Sequence, residues 1–99
     1  MRSAFVRLAA VEDLGVAISY LVLKRGTPVY SRDGERLGRV TRVLGDRPTH
    51  IFDGIIFDTT AGPGGHRFVD APEVESIHER GVVLTIDAAG VEALPKRRR

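Results

Sequence analysis

Three histidines, His50, His66 and His78, are interspersed with Asp46, Asp53, Asp58 and Asp70, and a metal site in this chain would draw on these groups. Imidazole and carboxylate donors hold a zinc-like ion only when three or four converge. Their spacing matches neither the paired-histidine zinc pattern nor HExxH, so the histidines read as solvated or capping groups, and neither metal nor cofactor is expected. Asp53 and Asp58 are candidates for paired-carboxylate chemistry, but they lie five apart in a strand-like run, where odd spacing sends side chains to opposite faces. Cysteine is absent, which removes disulfides, thiolate ligands and thiol nucleophiles and suits a reducing cytoplasm. Ser31, Thr41, Thr59 and Ser76 sit where turns and strand faces ordinarily use hydroxyls, with no G-x-S-x-G frame around them. Gly62-Pro63-Gly64-Gly65-His66-Arg67 offers backbone N–H groups and a guanidinium to an anion. It lacks the phosphate-loop pattern and leads into no long helix, so it reads as a hairpin tip. No set of residues fills the roles an active site needs, and a non-enzyme is expected.

Binding chemistry has two candidates. Arg32, Arg36, Arg39, Arg42 and Arg47 follow one another along a hairpin and its loop, and the chain closes on Lys96-Arg97-Arg98-Arg99. Arg36, Arg39, Arg42, Lys96, Arg97, Arg98 and Arg99 are the candidate nucleic-acid contacts, which would act by salt-sensitive phosphate neutralisation. Asp33, Glu35 and Asp46 dilute that field, and arginines on an exposed edge also guard against sheet-to-sheet aggregation. The formal net charge of +2 comes from the last four residues, and the body before them is slightly acidic. The second candidate is the run Ile51-Phe52-Asp53-Gly54-Ile55-Ile56-Phe57, with bulky residues at both parities. Ile51, Ile55 and Phe57 share one face and Phe52 and Ile56 the other, so both faces require cover. One face belongs to a core; the other calls for a helix, the N-terminal arm or a second protomer. Tyr20, Phe52 and Ile56 are therefore the candidate protein interface, and a homodimer that docks an unidentified protein is expected.

The elements that would position these residues are short. Ninety-nine residues allow one modest core. Residues 1–18 read as an N-terminal arm, 19–94 as the folded domain and 95–99 as a basic tail. Arg7, Glu12 and Asp13 interrupt the only signal-like stretch, and no run is long enough to cross a membrane, so a cytoplasmic protein without membrane insertion is expected. Ser19 to Leu23 reads as a strand. Val29-Tyr30 and Leu37 to Leu44 read as two more strands joined by a tight Asp33-Gly34 turn, where glycine supplies positive φ; a bulge is expected at Gly38. Ile51 to Thr59 and His66 to Val69 form a second hairpin, Asp70-Ala71-Pro72 starts a helical turn, and Ser76 to His78 and Val82 to Ile86 form a third hairpin. Asp87 caps a short closing helix that carries Val91 and Leu94 and stops at Pro95. About six strands with frequent turns predict an all-β fold with one or two short helices, a small barrel closed or nearly so.

Residues 26–86 resemble the PRC-barrel family, the small β-barrel also found in the photosynthetic reaction-centre H subunit and the ribosome maturation factor. The resemblance rests on Gly26-Thr27-Pro28-Val29, on Asp33-Gly34-Glu35-Arg36-Leu37-Gly38-Arg39-Val40, on the strand Ile51 to Phe57, and on Phe68-Val69 followed by Val74 to Ile77. Tyr20-Leu21-Val22-Leu23 with Ile51-Phe52-Asp53-Gly54-Ile55 is similar to an uncharacterised bacterial subgroup. The resemblance implies a non-catalytic adaptor or docking module, often dimeric, with no shared active site; the alternative is a nucleic-acid- or ribosome-associated accessory factor. The fold does not choose between them.

Overall fold

The computed structural model describes residues 14–46, 48–49, 51–59 and 65–97, the last two as backbone. Seven strands form one open sheet: β1 (Pro28–Tyr30), β2 (Arg36–Asp46), β3 (Ile51–Thr59), β4 (Gly65–Asp70), β5 (Val74–His78), β6 (Gly81–Leu84) and β7 (Lys96–Arg97), in the spatial order β5-β6-β1-β2-β3-β4-β7. β1 and β6 run parallel; every other pair is antiparallel. Among the described residues the sheet does not close, so β5 and β7 are its edges.

The β1–β2 connection is wider than a two-residue turn. Ser31 N–H donates to the Glu35 carbonyl (2.8 Å) and Gly34 N–H to the Ser31 carbonyl (3.0 Å), leaving residues 32–34 as a three-residue loop with Gly34 at φ +87°. This is the hairpin in which glycine occupies the left-handed position after a type I turn. The buried Ser31 hydroxyl bonds the Asp33 carboxylate and accepts from Glu35 N–H (3.1 Å), which prefers the wider loop.

Register shifts explain which apolar residues meet. β1 and β2 slip at Leu37, beside the expected Gly38, so Leu37 and Val40 both reach the core despite their odd spacing. Two more shifts, at Thr41 on β2 and at Asp53 on β3, reset the parity of the longest hairpin. The core comprises Leu23, Val29, Leu37, Val40, Ile55, Phe57, Val69, Val82, Leu84 and Val91, with Val43, Phe52, Val74, Ile77 and Leu94 packed around it. Val83 is buried outside that cluster, and Phe68 is half-buried outside it. Val82 and Val91 are core residues that strand periodicity did not single out.

Three segments differ from the sequence reading. Ser19 to Leu23 is not a strand: Tyr20–Val22 is a 3-10 turn whose N-cap, Ser19, accepts from Leu21 N–H (3.1 Å), and only Leu23 of the run is buried. The predicted closing helix is a 3-10 helix, Ala88–Ala93, with Asp87 accepting from Gly90 N–H (2.9 Å). The basic tail begins as a strand, because Lys96 and Arg97 pair with Arg67 and His66 of β4. The turn at Ala71–Glu73 forms after Asp70 as expected, without a side-chain capping bond. Arg47, His50, Arg98, Arg99, the arm before Leu14 and the hairpin tip apart from Gly65 lie outside the described residues.

Candidate docking surface

The far end of the β2–β3 hairpin extends past the end of β4. β4 pairs with β3 from Gly54 to Thr59, so among the described residues no strand covers that side of Ile51, Phe52 and Asp53. Tyr20 packs here. Its ring stacks on Phe52 with centroids 5.0 Å apart and planes at 26°, and its hydroxyl makes a long hydrogen bond to the Ile51 carbonyl (3.3 Å). Gly45 gives the ring its seat, since a β-carbon there would lie 2.6 Å from Tyr20 Cε2. On the same two segments, Val22 at the end of the turn is 58% exposed, and Ile51, on the strand face opposite Phe52, is 55% exposed.

Tyr20 and Phe52 thus come together, whereas Ile56 does not join them. The extra residue at Asp53 turns Phe52 toward the core side, where it packs half-buried against the core cluster. Ile56 stays on the opposite face, in register with Arg42 and Phe68, and is 1% exposed. It presents no surface to a partner, and the parity that grouped it with Phe52 fails at the bulge.

Next to Phe52 lies an open groove of about 360 Å³ lined by Ala17, Ile18, Phe52, Val74, Glu75, Ser76 and Ile77. Its far wall is β5. Residues 14–18 run along part of that edge: Ile18 N–H donates to the Ile77 carbonyl (2.9 Å), Glu79 N–H to Val16 (3.0 Å) and Arg80 N–H to Leu14 (2.8 Å). The Tyr20–Val22 turn then carries the chain away.

His78 fastens this wall. It is 8% exposed, with Nδ1 3.0 Å from the Gly15 carbonyl and Nε2 3.0 Å from the Ser76 hydroxyl. A carbonyl only accepts, so Nδ1 carries a proton, and the imidazole ties the 14–18 segment to β5. His66 sits in register between Asp58 and Arg97. Asp53, Asp58 and Asp70 are all exposed, and among the described residues no three histidines or carboxylates are grouped as a metal site requires.

The arginine candidates lie on another part of the sheet. Arg36, Arg39 and Arg42 are exposed on β2, and the Thr41 bulge lets Arg39 and Arg42 share the outer face despite their odd spacing. Arg39 stands opposite Asp58, which stands opposite His66, which pairs with Arg97. A carboxylate therefore interrupts the basic row. Arg67, considered for anion binding at the glycine-rich tip, is 7% exposed, and its Nη1 donates to the Glu92 (3.2 Å) and Leu94 (2.8 Å) carbonyls. It serves as an internal tie.

Sequence reading missed Val22, Ile51 and the groove. The usable signal was Gly45 opposite an aromatic pair: a glycine at the end of a long strand marks a place where another group approaches the backbone.

Among the described residues no helix is long and apolar enough to cross a membrane. No curated protein matches the chain. The family model for the PRC-barrel domain matches residues 23–91, from the end of the Tyr20–Val22 turn to the last 3-10 helix, and the chain belongs to the PRC-barrel domain family.

Proposed function

We propose that the protein is a non-catalytic cytoplasmic docking module that self-associates and binds another macromolecule, a protein, through the surface around Tyr20 and Phe52. The observation that carries this reading is the Tyr20–Phe52 stack on a hairpin end left uncovered by β4, with Val22 and Ile51 exposed on the two segments that supply it. Apolar residues grouped at a strand edge are a common basis for protein–protein contact. The nucleic-acid alternative has weaker support, because Asp58 lies between Arg39 and His66 in the row where phosphates would have to track.

The double variant Val22→Asp/Ile51→Asp tests the reading. Both side chains are more than half exposed, so stability should change by only about 0.5 kcal/mol. Light scattering should show the wild-type chain as a dimer at micromolar concentration and the variant as a monomer, and affinity capture with nuclease should recover a defined protein with the wild type only. A partner that survives the double variant but is lost with nuclease, or with Arg39→Ala/Arg42→Ala, would replace the docking reading with the nucleic-acid one.

A further inference from the structure

Residues 14–18 form a strap laid on the edge of β5. Ala17 pairs with His78 in antiparallel register, His78 Nδ1 reaches the Gly15 carbonyl, and Leu14 is buried on the face of Gly81, where a β-carbon would lie 2.6 Å from Leu14 Cδ2. Beyond Ile18 the chain is fastened to a different part of the sheet, since Tyr20 stacks on Phe52. A single exposed residue, Ser19, separates these two attachments. Among the described residues the exposed large apolar side chains are Val16, Val22 and Ile51. Two of them, Val16 and Val22, therefore stand at equal spacing on either side of Ser19, one on the strap and one on the turn that follows it.

From this arrangement, which rests on the self-association in the reading above, we infer that the strap is exchanged between two copies of the chain, residues 14–18 of one protomer lying on β5 of the other with Ser19 as the hinge. Exchange of an identical element is a low-cost route to a dimer. It asks for no new complementarity, because the second copy offers the same main-chain groups along β5, the same glycine seat for Leu14 and the same imidazole for the Gly15 carbonyl. In a two-fold exchange the connecting segments pass each other at the axis, so residues flanking the hinge meet their counterparts. Val16 and Val22 would be covered there, and burying them is what favours exchange over a strap closed on its own chain.

The chain has no cysteine, so one introduced pair reports the exchange. The Ile18 to Ile77 and Glu79 to Val16 hydrogen bonds flank positions 17 and 78, which face each other as a non-hydrogen-bonded pair, and such pairs lie within disulfide reach. Oxidised Ala17→Cys/His78→Cys, in the full chain, should run as a covalent dimer on a non-reducing gel, and Ala17→Cys alone should not. A disulfide closed within one chain overturns the exchange, and so do thiols that stay free. Leu14→Asp tests the same point with His78 in place: it should raise the dimer dissociation constant at least tenfold in sedimentation. A dimer indifferent to Leu14→Asp but abolished by Val22→Asp/Ile51→Asp would remove the exchange and leave the docking reading standing. A wild-type chain that stays monomeric at every concentration would overturn exchange and self-association together.

Discussion

Gly38→Ala is expected to cost at least about 4 kcal/mol and to lower the melting temperature by roughly 15 °C or more. A β-carbon at Gly38 would collide with the backbone carbonyl of Asp58 and lie 3.1 Å from Thr59 Cα. These are main-chain atoms of the neighbouring strand, so β2 and β3 would have to separate where Val40 packs in register with Phe57. Total stability for a chain of this length is of order 5–15 kcal/mol, so one methyl group at this position removes a large part of it. Gly90→Ala provides the contrast. Its β-carbon would meet Asp87 Oδ1 at 3.4 Å and Ile86 Cβ at 3.5 Å, ordinary contacts at an ordinary φ, and reduced freedom of the unfolded chain should make it neutral or stabilising by up to about 1 kcal/mol. Thermal melts of the two variants side by side decide the matter: equal shifts would mean that the approach of β3 to β2 is not the constraint.

The second large effect is at Arg67. Its guanidinium is buried between β4 and the last 3-10 helix, with Nη1 shared by two carbonyls and Nε unpartnered among the described residues. Arg67→Ala should destabilise by about 2–4 kcal/mol, because it leaves a void and removes a donor from two acceptors. Arg67→Met keeps most of the volume and removes a charge that lacks a full set of partners; its loss should be smaller, about 1–2 kcal/mol. Denaturant midpoints give the ranking. Hydrogen exchange gives the location, since protection should fall first at Phe68 N–H, which donates to Pro95 (3.0 Å), and at Leu94 N–H, which donates to Val91 (3.0 Å). Uniform loss of protection over the whole sheet would show that Arg67 acts as general packing and not as a tie for the C-terminal segment.

The local hairpins, and most of the core, could be read from residue types because each hairpin is bounded by glycine, proline or aspartate. The Asp33-Gly34 reversal, the Pro72 turn and the Asp87 cap all lie where their side-chain chemistry places them. Reading failed wherever face depended on register. Counting by twos from Phe57 puts Phe52 and Ile56 together, and one extra residue at Asp53 separates them; nothing in Phe52-Asp53-Gly54 says which residue the partner strand will skip. Ser19 to Leu23 was misread for a different reason. Its apolar run suits a strand, but Ser19 captures Leu21 N–H locally. Of the candidate surface, Tyr20 and Phe52 were legible as an aromatic pair, whereas Ile51 was not, since β4 stops pairing with β3 at Gly54.

The parallel contact between β1 and β6 has a kinetic consequence. Val29, fully buried, sits opposite Val82, and Tyr30 opposite Val83, so an early strand finds one of its two neighbours only after most of the chain has been made. The four antiparallel hairpins, β1–β2, β2–β3, β3–β4 and β5–β6, join strands that follow one another in the chain, and their loop entropy is small. Joining the β5–β6 hairpin to β1 is the long-range step, and topologies with such steps fold slowly. A nascent chain leaving the ribosome would therefore hold preformed hairpins with Val29 and Leu84 still in water, and the folding rate should respond to substitutions at Val82 more than to equally costly ones within the β3–β4 hairpin.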